Sequence, residues 1–146
     1  MELLIYAVVV AVCLILSAFF SSSETALLRL RQQDIKKDIE TSHGPAAVAA
    51  RDLISTPASL LVTILFGNNI VNILGASVAS AFAVRLLGEQ QGLIVSTLFM
   101  TFIIFVFCEV LPKAFAARNP RRVAYNVSLP LYLIHQILRP LHLLYD

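Results

Sequence analysis

Three stretches of this chain contain no Asp, Glu, Lys or Arg: Leu3–Ser23, Leu53–Val84 and Gln90–Cys108. A helix crosses the hydrocarbon core of a bilayer, about 30 Å thick, with about 20 apolar residues. Each stretch is long enough to do so. This restricts the fold severely, because inside hydrocarbon every backbone N–H and C=O must be paired within its own segment or a closed barrel. Composition agrees: 58% of the 146 residues are hydrophobic and 14% charged, with a mean hydropathy of +0.82, whereas an average soluble domain is roughly 25% charged. A soluble enzyme domain of this length could not hide so much apolar surface, and disorder requires the opposite composition. The only cysteines, Cys13 and Cys108, lie inside apolar runs and make no disulfide framework. A net charge of +2 is too small to argue for nucleic acid. The chain reads as an all-α membrane protein.

The spacing predicts spans over about 3–27, 57–84 and 91–117, a helical loop over 29–55, and a fourth helix over 122–145. That last segment is amphipathic: Val123, Val127, Ile134, Leu138 and Leu141 fall on one face, and Ser128, His135, Arg139 and His142 on the other. With Pro130 and Pro140 inside it, it reads as a juxtamembrane helix lying in the interface. Arg29, Arg31, Lys36, Lys37 and Arg51 in the first loop, and Lys113, Arg118, Arg121 and Arg122 near the C-terminus, place both segments in the cytoplasm and the N-terminus outside. Residues 1–23 carry Glu2 and no basic residue, so they read as a retained span rather than a cleaved signal peptide. In the loop, Ile35 and Ile39 mark one face of a helix that stops at Ser42-His43-Gly44-Pro45, and Ala46–Ile54 forms a second. Thr56 is the expected N-cap of the second span, with Pro57 at its first position.

Polar residues at membrane depth are costly and so carry the functional signal. Ser17, Ser21 and Glu24 share a face of the first span. Gly67-Asn68-Asn69 interrupts the second, with Asn72 one turn beyond Asn68. Glu109 ends the third apolar run, and Pro112 removes the helical partner of the Cys108 carbonyl. Gly67 is expected to loosen its helix in the same way. All these donors are oxygens, which suit hard cations such as Mg²⁺, Ca²⁺ or Na⁺ rather than zinc or copper. Each feature also has a structural reading. Serines bond back to their own helix, the asparagines can join helices, and Glu109 can pair with Lys113 one turn on. Gly75, Ala76, Ala79 and Ala83 form a small-residue packing face that could also join two copies. No Ser-His-Asp set, phosphate loop or histidine metal motif is present, so catalysis is not expected.

Leu16-Ser17-Ala18-Phe19-Phe20-Ser21-Ser22-Ser23-Glu24-Thr25-Ala26-Leu27 resembles the opening motif of the CNNM/CorC family of magnesium transporters. Phe66-Gly67-Asn68-Asn69-Ile70-Val71-Asn72 resembles its second motif, and Phe107-Cys108-Glu109-Val110-Leu111-Pro112-Lys113 its third. The order is the family's and the resemblance covers essentially the whole chain, although Cys108 stands where the third motif usually has glycine. The resemblance implies three spanning helices plus a juxtamembrane helix, assembled as a homodimer in the cell membrane. It implies a central Mg²⁺ site at Ser17, Ser21, Gly67, Asn68, Asn72 and Glu109. The implied activity is Mg²⁺ export, with Na⁺ as the coupling ion. Family members carry cytoplasmic CBS domains, absent here, so the sequence reads as the transmembrane part of a longer protein. The rival readings are an exporter of organic cations such as polyamines, for which Glu24 is the spare acid, and a Mg²⁺-binding membrane sensor without flux.

Overall fold

The structure, a computed structural model, describes residues 1–41 and 44–143, with the side chain of His142 excepted. The predicted stop at Ser42-His43 and the predicted end of the last helix at 145 lie outside the described residues. What is described contains helices and no strand. Helix α1 covers Glu2–Leu28, α2 Gln32–Glu40, α3 Gly44–Ile54 and α4 Pro57–Leu87. Helix α5 runs over Glu89–Ile103 and continues through a π-helical segment, Ile104–Val110, into α6 at Leu111–Arg118. Helices α7, Pro120–Ile137, and α8, Arg139–His142, follow. Three rods are long and apolar enough to cross a membrane: α1, α4, and the continuous 89–118 run. Most of their apolar surface faces outward, as in Ile15, Ile73 and Leu98. That is the surface a lipid-embedded helix presents, since lipid tails are as apolar as leucine.

Helices α1 and α4 pack against each other along much of their length, and α4 against α5. They run antiparallel: Arg85 near the end of α4 pairs with Glu2 at the start of α1, and its guanidinium lies 5.2 Å from the Tyr6 ring centre. Between α4 and α5 the chain reverses at a single residue, Gly88, whose φ of 90° favours glycine. The buried core concentrates at the opposite, basic end. There Ala26 and Leu27 of α1, Ala47, Ala50 and Leu53 of α3, Ala116 of α6 and Ala124 of α7 lie in one cluster. Asp38 of α2 accepts hydrogen bonds from Arg121 and from the Tyr125 hydroxyl, tying α2 to α7.

Several local expectations are corrected. Helix α4 is not interrupted at Gly67 but runs unbroken over Pro57–Leu87, because an unpaired backbone group in hydrocarbon costs more than one helical glycine. Pro112 does not break the third rod. The chain widens ahead of it, where the Leu111 N–H bonds the Val106 carbonyl five residues back. Such π segments absorb a local mismatch and occur often at functional sites. Pro57 takes the first helical position as expected, but the Thr56 side chain makes no capping bond; its carbonyl accepts from the Leu60 N–H at 2.9 Å.

The predicted apolar face of α7 turns inward at Val123 and Val127, but the buried arc extends beyond it to include Ser128 of the predicted polar face. That arc combines Val123, Ala124, Val127, Ser128 and Leu131, whereas Leu129, Leu133 and Ile137 are exposed. Ser128 bonds back to the Ala124 carbonyl, and His135 Nδ1 lies 2.9 Å from Thr63 Oγ1 of α4. Small and polar residues let helices approach closely, while leucines lose nothing against lipid.

Candidate functional site

The site is built where α1 crosses α4. Ser17 is fully buried, and its Oγ donates to Asn68 Oδ1 at 3.0 Å. It therefore spends its proton across the helix interface rather than on its own helix. Ser22 and Ser23 do the reverse, donating to the Phe19 carbonyl at 3.0 Å and 2.6 Å. One turn along α1, Ser21 is 1% exposed and its Oγ has no hydrogen-bond partner. One turn along α4, Asn72 Oδ1 is likewise buried without a partner. Because the helices are antiparallel, these two orphans lie on opposite sides of the Ser17–Asn68 pair, each displaced by roughly 6 Å along the axis. Buried polar atoms are almost always satisfied, so two orphans flanking one interhelical bond need an explanation.

Gly67 makes the approach possible. A Cβ there would lie 2.5, 2.7 and 3.0 Å from three Phe20 ring atoms. Phe20 is buried and stacked edge-on against Phe19, with ring centres 5.3 Å apart. Gly75 does the same farther along, where a Cβ would lie 3.0 Å from Cys13 Cβ. Of the small-residue face of α4, Gly75 packs within the chain, on α1.

Behind the pair stands the π segment. Cys108 is buried and its Sγ lies 3.4 Å from the Leu14 carbonyl of α1. Glu109, the next residue, has no hydrogen bond or ion pair among the described residues. Its side chain lines a cavity of about 410 Å³ between α4 and α5, together with Ala76 and Ser80 of α4. Lys113, the expected partner of Glu109, instead approaches Glu24, Nζ to Oε2 3.8 Å. Among the described residues, no three His, Cys, Asp or Glu side chains gather as metal ligands. The donor set is one carboxylate among neutral oxygens.

Of the six predicted positions, the structure joins Ser17 to Asn68, sets Ser21 and Asn72 on either side, and opens Glu109 onto a neighbouring cavity. Gly67 supplies room for a ring. Reading the sequence did not single out Phe20, Thr63, Ser80, Ser96 or Asp38. Of these, only Asp38 carried a signal that could have found it: it lies one helical turn from Asp34, on the Ile35 side of α2 rather than among its exposed charges.

Residues 8–146 match the family model described as the cyclin M transmembrane N-terminal domain. A UPF0053 protein of Haemophilus influenzae is 36% identical over 134 residues, covering 92% of this chain and 31% of the relative. The UPF0053 inner membrane protein YfjD of Escherichia coli is 35% identical over 126 residues, 86% of this chain and 29% of the relative. A chloroplastic DUF21 domain-containing protein of Arabidopsis thaliana is 34% identical over 132 residues, 90% of this chain and 20% of the relative. The chain spans less than a third of the length of these relatives.

Proposed function

Since this chain belongs to the cyclin M transmembrane N-terminal domain family, we propose that it carries Mg²⁺ across the membrane, exporting it in exchange for Na⁺. The observation that carries this reading is the pair of partnerless buried oxygens, Ser21 Oγ and Asn72 Oδ1, on either side of the Ser17–Asn68 bond. A hard cation satisfies such an acceptor without adding a proton; lying roughly 12 Å apart along the axis, the two meet the ion in turn, on either side of the Ser17–Asn68 pair, rather than in one shell. Glu109 supplies the only formal negative charge. Ser17, Ser21, Asn68 and Asn72 orient the ion, and Gly67 lets α1 and α4 close around it. One carboxylate keeps affinity modest, which suits a carrier that must release its cargo. The ion is exchanged between the two faces as α1 and α4 shift against the 89–118 rod around a fixed site. The basic end faces the cytoplasm of a cell membrane, with the N-terminus outside, and two copies assemble as a homodimer. Glu24, the acid that a longer organic dication would need, is already approached by Lys113, which weighs toward the inorganic ion.

The test is Mg²⁺ flux in proteoliposomes, comparing the protein with Glu109→Ala, with and without a Na⁺ gradient. Flux that follows the gradient and disappears in the variant is expected. Flux unchanged by Glu109→Ala would overturn the site, and Mg²⁺ binding without flux in the unaltered protein would favour the sensor.

A further inference from the structure

We propose that the cavity between α4 and α5 is a hydrated groove with one acceptor-bearing side, along which the cation passes between Glu109 and the Ser80–Ser96 pair. The inference rests on the transport reading but has its own geometry. The cavity's polar lining is Ser80 of α4, Ser96, Thr97 and Thr101 of α5, and Glu109, while the rest of it, Phe105 included, is apolar. From Thr97 to Glu109 the rod advances roughly 18 Å, so the groove is elongated along the membrane normal. On α4, Asn68, Asn72, Ala76 and Ser80 recur every fourth residue, a stripe that drifts about 40° per step and so winds from α1 toward α5. This places the orphaned Asn72 one turn below the groove, with only a methyl group between it and Ser80.

The lining hydroxyls spend their protons on the protein, as Ser and Thr in a membrane helix commonly do, and this leaves their oxygens as acceptors toward the cavity. Ser96 Oγ lies 3.2 Å from the Leu93 carbonyl, to which it donates, and 3.0 Å from Ser80 Oγ, in a hydrogen bond where either hydroxyl can be the donor. Thr97 Oγ1 donates to the same Leu93 carbonyl at 2.7 Å. With these protons spent on protein acceptors, each oxygen still has lone-pair capacity to offer, and the Glu109 carboxylate also only accepts. The polar side of the cavity, with Glu109 at its end, favours water protons and cations over anions. A carboxylate held in hydrocarbon is costly, and water in the groove lowers that cost.

Single cysteines at Ser80, Ala76, Leu98 and Gln90 test the groove in lipid nanodiscs with a charged methanethiosulfonate reagent. The unaltered protein, whose two cysteines are buried, gives the background. Gln90→Cys reports the turn, and Leu98→Cys an apolar, outward-facing position. Ser80→Cys and Ala76→Cys are expected to react at rates near Gln90→Cys. Leu98→Cys should react about 100-fold more slowly, because a charged reagent does not partition into hydrocarbon. Mg²⁺ should slow labelling of Ala76→Cys, and Ala76→Leu should abolish flux while leaving Mg²⁺ binding intact. Thiols at 80 and 76 as inert as the one at 98 would overturn the groove even if the protein transports Mg²⁺. Labelling at both positions in a protein that binds Mg²⁺ but moves none would uphold the groove and sink the transport reading instead.

Discussion

A methyl group on Gly67 would lie 2.5 to 3.0 Å from the Phe20 ring, and this sets two opposing effects against each other. Alanine favours a helix over glycine by about 1 kcal/mol. Overpacking a filled interface costs typically 1–3 kcal/mol, and the buried, stacked Phe20 has little room to retreat. Gly67→Ala is therefore expected to lower the melting temperature in detergent, and adding Phe20→Leu to restore it; a rise with Gly67→Ala alone would refute the packing argument. A second residue-scale prediction concerns Tyr125. Burial, reinforced by its bond to Asp38, pushes the phenol up to about 12 from an ordinary value of 10.0. A raised pKa means that the protonated form is the one folding favours. The stabilisation is complete below pH 10 and is lost as pH rises through about 12. An ultraviolet titration of the protein minus that of Tyr125→Phe should show one tyrosine ionising near pH 12; a component near 10 would contradict the Asp38 contact.

Among the elements, the α4–α5 hairpin is the most tightly specified. A Cβ at Gly92 would lie 2.6 Å from both Cα and N of Val84 and 2.7 Å from the Ala83 carbonyl carbon. These are backbone atoms, which cannot rotate away as a ring can. Gly92→Ala should therefore destabilise more than Gly67→Ala, by splaying the two helices; equal melting temperatures would show that the hairpin yields as a side chain does. The π segment has a different consequence. Its extra residue rotates everything after Ile103 relative to an ideal helix. That rotation goes with Cys108 facing α1 and Glu109 opening toward α4 rather than pairing with Lys113.

For the molecule as a whole, ligand binding and stability are linked. A cation that binds only the folded state adds about 2.7 kcal/mol when present at one hundred times its dissociation constant. If the ion bridges α1, α4 and the 89–118 rod, Mg²⁺ should raise the melting temperature of the protein. That increment should shrink in Asn68→Ala and vanish in Glu109→Ala. A full increment in Glu109→Ala would mean that the ion binds elsewhere. The same logic separates the site from the basic end, where the Asp38 contacts with Arg121 and Tyr125 hold α2 to α7. Weakening those contacts should lower stability with and without Mg²⁺ alike.

The three spanning rods were legible in the sequence because lipid asks a simple question of a segment: whether some 20 residues avoid charge. Family membership was legible too, since Ser17, Asn68 and Glu109 stand in motifs whose order survives any packing detail. Packing detail decided the rest. No periodicity shows that Gly67 serves Phe20 rather than breaking α4. Nor does proline chemistry alone reveal that the helix widens over 104–110 instead of opening. The burial of Ser128, which the sequence places on the polar face of α7, follows from lipid being as good a neighbour as protein for leucine. Hydrophobicity therefore selects which segments enter the membrane, but in this protein steric fit and hydrogen bonds select which faces meet.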